Sequence, residues 1–594
     1  MAFLKRRIIA TTLAVAFAGL AYAQEATDAI APEAATPELH LQAANSRQPV
    51  HSKNWMVAAA NPLAAEAGAQ ILRRGGSAAD AAIAVQLVLG LVEPQSSGLG
   101  GGAFALYWDQ AAQKLTTFDG RETAPGAATP RLFQDDKGEP LKFFDAVIGG
   151  RSVGVPGTPM LLSEMHKRAG RLAWAEMFEA PLRLAEDGFA VSPRLAGLVA
   201  ATADSLSRFE ATRSYFMTSL TQALTNNEPL KNPDYAQTLR TLRDGGAAAF
   251  YSGPIAEDIV ATVQNALGNP GTMTLQDLAA YRVKIRPPVC VAYRGHDVCG
   301  MGPPSSGGLT VGQILGLLTP FDLTRWGPDD PQTWLLIGDA SRLAFADRGR
   351  YMADSDFVPM PTAGLTNPLY LEERALQIDQ GTGKALGKDA VRPGEPQWDH
   401  ALNLADGEAL ELPSTSHFVI VDASGNIVSM TTTIENGFGS RLMVRGFLLN
   451  NELTDFSFRS HRDGVPVANR VEPGKRPRSS MAPTIVLRDG APVLALGSPG
   501  GSRIIPYVAK TLIAILDWGM DVQAAVDMPH LANRFGTYDL EAGTAAEAFA
   551  GPLEALGYKT NVRELNSGLH AIAITPDGLA GGADPRREGI ALGE

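Results

Sequence analysis

The sequence predicts an α+β protein in which helices are layered over β-sheets. Helical periodicity dominates residues 155 to 285, whereas the last third of the chain carries short alternating strands joined by glycine-containing turns. The 594 residues, 45% hydrophobic and 19% charged, are enough for one large layered core or for two domains.

The first 23 residues have the three parts of a secretory signal peptide. Basic residues at positions 5 to 7 precede an apolar run from Ile8 to Leu20, and a small-residue cleavage site follows at residues 21 to 23. The apolar run is shorter than the roughly 20 residues that span a bilayer, which disfavours a membrane anchor. We therefore expect an exported protein, periplasmic or secreted, whose residues 24–52 form a flexible tether.

The folded part opens with two helices. Asn61 and Pro62 form an N-cap and first-turn pair, and the helix that they begin is expected to end at the glycines 75–76. Ser77 and Asp80 then form a capping box for a second helix that runs to about Val92.

Two short motifs match the sequence patterns of known enzyme loops but lack the secondary structure that those loops require. Gly98–Gly102 enters a strand rather than opening a helix, and no Lys-Ser/Thr follows, so a phosphate-binding loop is disfavoured. Ser152 lies in a nucleophile-elbow pattern, but Gly154 and Pro156 prevent a helix from starting directly after it, which favours a structural loop.

The chain has two cysteines, Cys290 and Cys299. If Arg294 and Gly295 form a two-residue hairpin turn, Tyr293 faces His296, and counting outward places the cysteines opposite each other. A cross-strand disulfide is then possible in an oxidising compartment, and two buried free thiols are the alternative. A metal site is disfavoured because no further His or Cys stands at familiar ligand spacing.

The formal net charge of -12 excludes binding to nucleic acid through a general basic surface. Small-molecule or peptide partners fit this composition better, and no motif suggests a cofactor.

Thr415 stands at the head of a predicted hairpin. Residues 380–413 lack periodicity and are expected to form an exposed linker; alternating strands follow at His417–Asp422 and Ile427–Ile434. If the bond before Thr415 were cut, its new α-amine, with a pKa of about 8, could take the proton from its own hydroxyl. Without further information, a threonine in this place is most simply an ordinary strand residue.

A series of motifs, in order along the chain from about Met56 to the C-terminus, makes the sequence resemble the γ-glutamyltransferase family. The motifs are Asp119–Pro125, Gly154–Thr158, Pro303–Gly308, Thr415–His417 with Asp422–Asn426, Leu449–Asn451 through Asp455–Ser457, Lys475–Pro483 and Gly497–Arg503. The resemblance implies a four-layer αββα sandwich, the N-terminal nucleophile hydrolase fold. It also implies self-cleavage between Ser414 and Thr415 into a large subunit, residues 53–414, and a small subunit, residues 415–594.

The same resemblance implies acylation of Thr415 by a γ-glutamyl group from a glutathione-like donor, followed by transfer to water, an amino acid or a peptide. It carries over the following roles: Thr433 orients the nucleophile, Gly500 and Gly501 form the oxyanion hole, Arg121, Ser479 and Ser480 bind the substrate carboxylate, and Glu452 and Asp455 accept from its ammonium group.

Two departures leave the substrate open. Glu435 stands where the family pattern usually has an asparagine that contacts the substrate amino acid, and the stretch from Phe456 to Ser479, where a lid is expected, is short. Both departures are similar to the branch with cephalosporin-acylase-like members, whose acyl group is glutaryl. We therefore expect a more open pocket, with a glutaryl-amide acylase as one alternative and an uncleaved binding scaffold as another.

Overall fold

The computed structural model describes residues 47–219, 222–378, 383–398, 400, 402–407, 410–412 and 414–594. The expected signal peptide and residues 24–46 of the tether lie outside the described residues. Within the described ranges, no helix is both long enough and apolar enough to cross a membrane.

Two seven-stranded sheets form the centre of the molecule. The first sheet has the spatial order β23 (Ile590–Gly593), β2 (Met56–Ala59), β10 (Ser416–Val421), β11 (Ile427–Thr433), β3 (Gly102–Asp109), β4 (Lys114–Gly120) and β7 (Lys284–Arg286). The second sheet has the order β1 (Val50–Ser52), β22 (Gly578–Ala583), β21 (His570–Thr575), β17 (Ala491–Gly497), β16 (Thr484–Arg488), β9 (His296–Gly300) and β8 (Val289–Tyr293).

Strand β10 shows why the sheets stack. Its side chains alternate: Phe418 and Ile420 belong to the apolar core beneath the first layer of helices, whereas Val419 and Val421 belong to the core between the sheets. A strand that is apolar on both faces needs a cover on both sides. Helices therefore lie outside each sheet, and the four-layer αββα architecture predicted from the resemblance is confirmed.

Helices and minor strands complete the described chain. The helices are α1 (Pro62–Arg73), α2 (Ala78–Val92), α3 (Phe143–Val147), α4 (Thr158–Ala169), α5 (Glu179–Asp187), α6 (Pro193–Ala201), α7 (Ala203–Leu206), α8 (Glu210–Phe216), α9 (Pro233–Gly245), α10 (Ala248–Tyr251), α11 (Pro254–Gln264), α12 (Leu275–Ala280), α13 (Gly307–Leu318), α14 (Pro331–Tyr351), α15 (Thr362–Leu365), α16 (Pro368–Ala375), α17 (Ile504–Leu516), α18 (Val522–Asp527) and α19 (Ala550–Leu556). The minor strands are β5 (Phe189–Ala190), β6 (Pro229–Leu230), β12 (Met443–Val444), β13 (Phe447–Leu448), β14 (His461–Arg462), β15 (Val465–Pro466), β18 (Leu531–Asn533), β19 (Thr537–Glu541) and β20 (Lys559–Arg563).

The predicted helix starts are confirmed by their caps. Asn61 Oδ1 accepts from the Leu63 N–H (2.9 Å) at the start of α1, and Ser77 and Asp80 exchange both capping-box hydrogen bonds at the start of α2. These bonds satisfy amide groups that the first turn of a helix leaves unpaired.

The cysteine hairpin has the predicted register. Arg294 and Gly295 both have positive φ angles (49° and 74°), as a tight hairpin turn requires, so that Tyr293 pairs with His296 and Cys290 with Cys299. The two cysteines are bonded to each other in this structure, at the edge of the second sheet.

The end of the expected linker is buried, contrary to the prediction of an exposed segment. Glu411 is 6% exposed and Leu412 is 2% exposed. Ion pairs and hydrogen bonds hold this short piece inside the molecule immediately before Thr415. The polar composition of this stretch therefore gave a wrong prediction for residues 411 and 412. They are buried because their polar groups are paired inside the molecule.

Candidate active site

Two threonine hydroxyls lie close together at one end of two central strands of the first sheet. Thr415 directly precedes β10 and Thr433 ends β11; because the two strands are antiparallel neighbours, these ends coincide. Thr415 Oγ1 lies 3.0 Å from Thr433 Oγ1, and Thr433 Oγ1 also accepts from the Glu435 N–H (2.8 Å). We call this pair the hydroxyl end of the pocket.

The backbone at Thr415 is held in a conformation that a β-branched residue rarely adopts. Its φ angle is 103°, which is strained for any residue with a Cβ. Arg587 Nη1 donates to the Thr415 carbonyl oxygen (2.7 Å), and the hydroxyl of Ser414 donates to the Gln95 carbonyl (2.9 Å). The bond between residues 414 and 415 is thus fixed on both sides.

Gly501 lies where a larger residue would not fit. A Cβ added there would lie 2.6 Å from the Glu411 carbonyl oxygen, and Gly500 and Gly501 both have positive φ angles (139° and 57°). Gly501 lines the same pocket as Thr415, and Gly500 precedes it without being part of the lining. The glycines allow the chain to pass close to the hydroxyl end.

Arg121 organises one side of the other end of the pocket. It follows β4 and is 1% exposed. Its guanidinium group pairs with Glu452 and with Asp455 (2.5 Å), and donates to the Arg478 carbonyl (2.8 Å). Burial alone would lower the pKa of Arg121, but the carboxylates of Glu452 and Asp455 raise it, so the group is a permanent cation.

Carboxyl groups outnumber the cation on this side. Burial raises the pKa of Glu435, Glu452 and Asp455 well above their usual ranges, and raises that of Glu122 to about 8. Asn451 donates to Glu435 as well, which orients its carboxyl group. We call this cluster the acidic side of the charged end.

The side chains around Glu411 form a second, basic side. Arg348, on α14, pairs with Glu411 and donates to Ser480 Oγ (2.7 Å), and Arg478 Nε lies 3.5 Å from the same Glu411 carboxylate. Burial would raise the pKa of Glu411, but Arg348 and Arg478 hold it below its usual value. This basic side and the acidic side together form the charged end.

Nine residues that the sequence proposed for the site line one small pocket: Arg121, Thr415, Thr433, Glu435, Glu452, Asp455, Ser479, Ser480 and Gly501. The pocket holds only about 20 Å³ of space in this uncut chain, so a more open site remains a prediction for the cleaved molecule. Glu411 and Leu412 form part of its lining, and they bond to Ser480 and Glu435, which line it as well. Among the described residues, no group of three or more His, Cys, Asp or Glu side chains is placed to hold a metal ion.

Sequence reasoning missed several residues in and around this pocket. Glu411, Arg348, Arg478 and Arg587 are buried ionic groups that the motifs did not single out. A signal existed for Arg348: it follows Asp347 within a helix whose neighbouring positions are apolar and buried.

The competing sequence motifs have structural explanations. The Ser152 hydroxyl is buried and donates to the Val147 carbonyl (2.6 Å). The glycine loop before β3 lets Gly101 approach the Thr433 backbone so closely that an added Cβ would lie 2.0 Å from its carbonyl oxygen. His417 is buried, bonds to Thr431 Oγ1 (2.9 Å), and has a pKa lowered well below its usual value by burial.

Comparisons with known proteins agree with this geometry. The family model described as gamma-glutamyltranspeptidase matches residues 64–594. The chain is 37% identical to a glutathione hydrolase proenzyme of Bacillus subtilis (91% of this chain, 92% of the relative) and 33% identical to the acylase ACY 1 proenzyme of a Pseudomonas species (90% and 93%). The crystal structure of cephalosporin acylase from Bacillus halodurans superposes with a TM-score of 0.81 at 28% identity (94% and 99%).

A four-layer αββα sandwich with a hydroxyl residue at the head of a central strand defines an N-terminal nucleophile hydrolase. Within that class, the extent of the family match and the identity to full-length relatives are decisive: this chain belongs to the γ-glutamyltranspeptidase family.

Proposed function

We propose that the chain is a γ-glutamyltransferase and glutathione hydrolase that becomes active by cutting its own Ser414–Thr415 bond. The observation that carries the proposal is the pair of hydroxyls of Thr415 and Thr433, 3.0 Å apart, in a pocket with charged groups of both signs. The relatives named glutathione hydrolase proenzyme and acylase proenzyme support a precursor that is converted to an enzyme rather than a scaffold.

Self-cleavage follows from the position of Thr415. Its hydroxyl oxygen adds to the Ser414 carbonyl carbon, the peptide C–N bond breaks, and the resulting ester is hydrolysed by water. The products are a carboxylate at Ser414 and a free α-amine at Thr415. The strained φ angle of Thr415 raises the energy of the uncut chain and so favours this step.

The new α-amine serves as the base for turnover. It accepts the proton of the Thr415 hydroxyl, which attacks the γ-amide carbonyl of the donor; the amine then protonates the departing nitrogen. Thr433 orients the attacking hydroxyl, and the N–H groups of Gly500 and Gly501 stabilise the tetrahedral intermediate. Water or the amine of an amino acid or peptide resolves the acyl-threonine.

Charges at the other end complement an α-amino acid. Arg121, Ser479 and Ser480 bind the donor carboxylate. Glu452 and Asp455, with Glu435 beside them, accept from its α-ammonium group. Because carboxyl groups outnumber the guanidinium of Arg121 on the acidic side, an added cation stabilises that cluster. This excess of acid favours a γ-glutamyl over a glutaryl donor, which has the carboxylate but lacks the ammonium group.

A glutaryl-amide acylase is the second candidate, and the cephalosporin acylase with a TM-score of 0.81 supports it. The two donors differ only at the α-amino group, so a pair of amides with one leaving group separates the functions. We expect the γ-glutamyl amide to react faster. Much faster release from the glutaryl amide would overturn the first assignment.

The proposed precursor has a secretory signal peptide at residues 1–23, a tether at 24–52, a large subunit at 53–414 and a small subunit at 415–594. Denaturing mass measurement tests this division and the nucleophile together. We expect two fragments, the smaller beginning with Thr415, and a mass increase of one acyl group on that fragment after addition of a γ-glutamyl donor. A single intact chain that never cleaves would refute the proposal.

A further inference from the structure

Glu411 brings a carboxylate of the chain itself into the charged end of the pocket. It lies four positions before Thr415 and is 6% exposed. One carboxylate oxygen pairs with Arg348, and the other accepts from the Ser480 hydroxyl. A buried carboxylate with two such partners is a well-satisfied anion rather than a residue left over from a linker.

The groups that hold Glu411 are themselves fixed in place. Arg348 donates through Nε to Ser306 Oγ (2.8 Å), and Ser306 Oγ in turn donates to the Ser479 carbonyl (2.7 Å). Arg478, adjacent to the serine pair, places Nε 3.5 Å from Glu411. These contacts join α14 to the loop before β16, so the basic side is positioned independently of Glu411.

The segment that carries Glu411 also lies against Glu435 and Gly501, two other residues of the pocket lining. The Leu412 N–H donates to Glu435 Oε1 (3.3 Å), and the carbonyl groups of residues 411 and 412 pass within 2.7 Å of the place where a Cβ on Gly501 would be. A donor and this segment cannot occupy the pocket together. Cleavage after Ser414 gives the segment a free end, so that it can leave.

Arg121 is a poorer candidate for the sole carboxylate partner than Arg348 and Arg478. Its guanidinium group is already bridged by Glu452 and Asp455, whereas departure of Glu411 leaves two buried guanidinium groups facing one vacated position. A buried cation that loses its counter-ion is strongly unfavourable, so an anion is required there.

We propose that Arg348 and Arg478, together with Ser480, form the seat for the free carboxylate of the donor, and that Glu411 occupies this seat until the chain is cut. The inference rests on the proposed function for its donor and adds two arginines to the substrate contacts. Its consequence is specificity for acyl groups with a terminal carboxylate, whether or not an α-ammonium group is present.

The kinetic test compares a γ-glutamyl anilide with the same compound as its α-carboxamide, using cleaved enzyme. We expect wild type to prefer the free acid by roughly 100-fold in kcat/KM, and Arg478→Met and Arg348→Lys to reduce that preference to about 10-fold or less. Arg350→Met is the matched control, because Arg350 lies on the same helix but pairs with Asp406 (2.5 Å) outside the pocket. It should keep the full preference.

An unchanged preference in both Arg348→Lys and Arg478→Met would overturn the seat while leaving the proposed function intact. No turnover of either anilide by cleaved wild type, with turnover of a glutaryl amide, would instead reject the γ-glutamyl function; the same arginine variants would then be measured on the glutaryl amide and its carboxamide.

A second test needs no catalysis. In a Thr415→Ala background the chain stays uncut, and Glu411→Ala should leave the seat empty. Added acetate should raise the melting temperature of this double variant by several degrees more than chloride at equal ionic strength, and should not do so for Thr415→Ala alone. Equal responses of the two proteins to acetate would contradict the occupancy of the seat by Glu411. If the double variant does not fold, Thr415→Ala with Glu411→Ser, which also removes the carboxylate and shortens the side chain, is compared in the same way.

Discussion

At the hydroxyl end of the pocket, Thr415 and Thr433 present two neutral groups 3.0 Å apart. The charged end is lined by several carboxyl groups and by one guanidinium group, that of Arg121, while Arg348 and Arg478 pair with the lining residue Glu411. The hydroxyl end is complete in the uncut chain. The charged end is also built, but Glu411 and Leu412 line it and bond to Ser480 and Glu435 there. In the proposed mechanism, therefore, self-cleavage requires only the hydroxyl end, while turnover of a substrate requires both.

Removing the nucleophile should destroy both activities. We expect Thr415→Ala to abolish cleavage and to reduce turnover by at least about 10⁴-fold, because no other group supplies the attacking oxygen. Mass measurement and release of a chromogenic amine check the two effects. Thr415→Ser, which keeps a hydroxyl, should still cleave. Fragments of normal mass from Thr415→Ala would contradict the assignment.

A change at the charged end should separate the two activities. Arg121→Ala should still yield two fragments but raise KM by about 100-fold, since it removes a cation and leaves Glu452 and Asp455 unpaired. The same loss should destabilise the fold by about 3–5 kcal/mol, because two buried carboxyl groups lose their partner. Steady-state kinetics and thermal unfolding provide the measurements. An uncut Arg121→Ala chain would show that the two ends are not separable.

A subtler change at the hydroxyl end should act on rate rather than on binding. Thr433→Val keeps the side-chain shape but removes the hydroxyl, and we expect kcat to fall by about 10- to 100-fold with KM little changed. Thr432→Val is the matched control: it is the preceding residue on β11, and its hydroxyl bonds to the Gly102 carbonyl (3.4 Å) instead of Thr415. A rise in KM without loss of kcat would indicate that the Thr433 hydroxyl contributes to substrate binding instead of orienting the nucleophile.

The smallest predicted effect concerns pH and the stability of the uncut chain. Burial raises the pKa of Glu435, so the folded state keeps a proton that the unfolded chain releases at about pH 4.3. Its contribution to stability is present at low pH and is lost as the pH rises toward the raised pKa. The melting temperature of Thr415→Ala should therefore fall between pH 5 and pH 8, and Glu435→Gln, which mimics the protonated form, should reduce that fall. Identical pH profiles would contradict the protonated state.

Local rules were sufficient for much of the fold. Asn61, Ser77 and Asp80 act through bonds to amides within three residues, and the Arg294–Gly295 turn sets the cysteine register by counting alone. Interactions of this kind depend on neighbours in sequence, so they can be read before the structure is known.

The basic side could not be predicted in this way. Glu411, Arg348 and Ser480 lie far apart in the chain, and each is unremarkable in its own segment. They form one site only because the fold brings together α14, the loop before β16 and the segment before Thr415. The family resemblance identified Ser479 and Ser480 because they lie in a motif. Glu411 was not identified because it lies in a stretch without motif or periodicity.

The strand order of the two sheets has a consequence for the cut molecule. In the first sheet, β10 and β11 come from after Thr415 and lie between β2 and β3, which come from before it; in the second sheet, β1 and β9 flank four strands of the later part. Each of the two proposed subunits therefore contributes strands to both sheets. We expect that the two subunits cannot dissociate, or exchange with subunits of another molecule, without unfolding. Cleavage would then free a chain end while the two subunits stay associated.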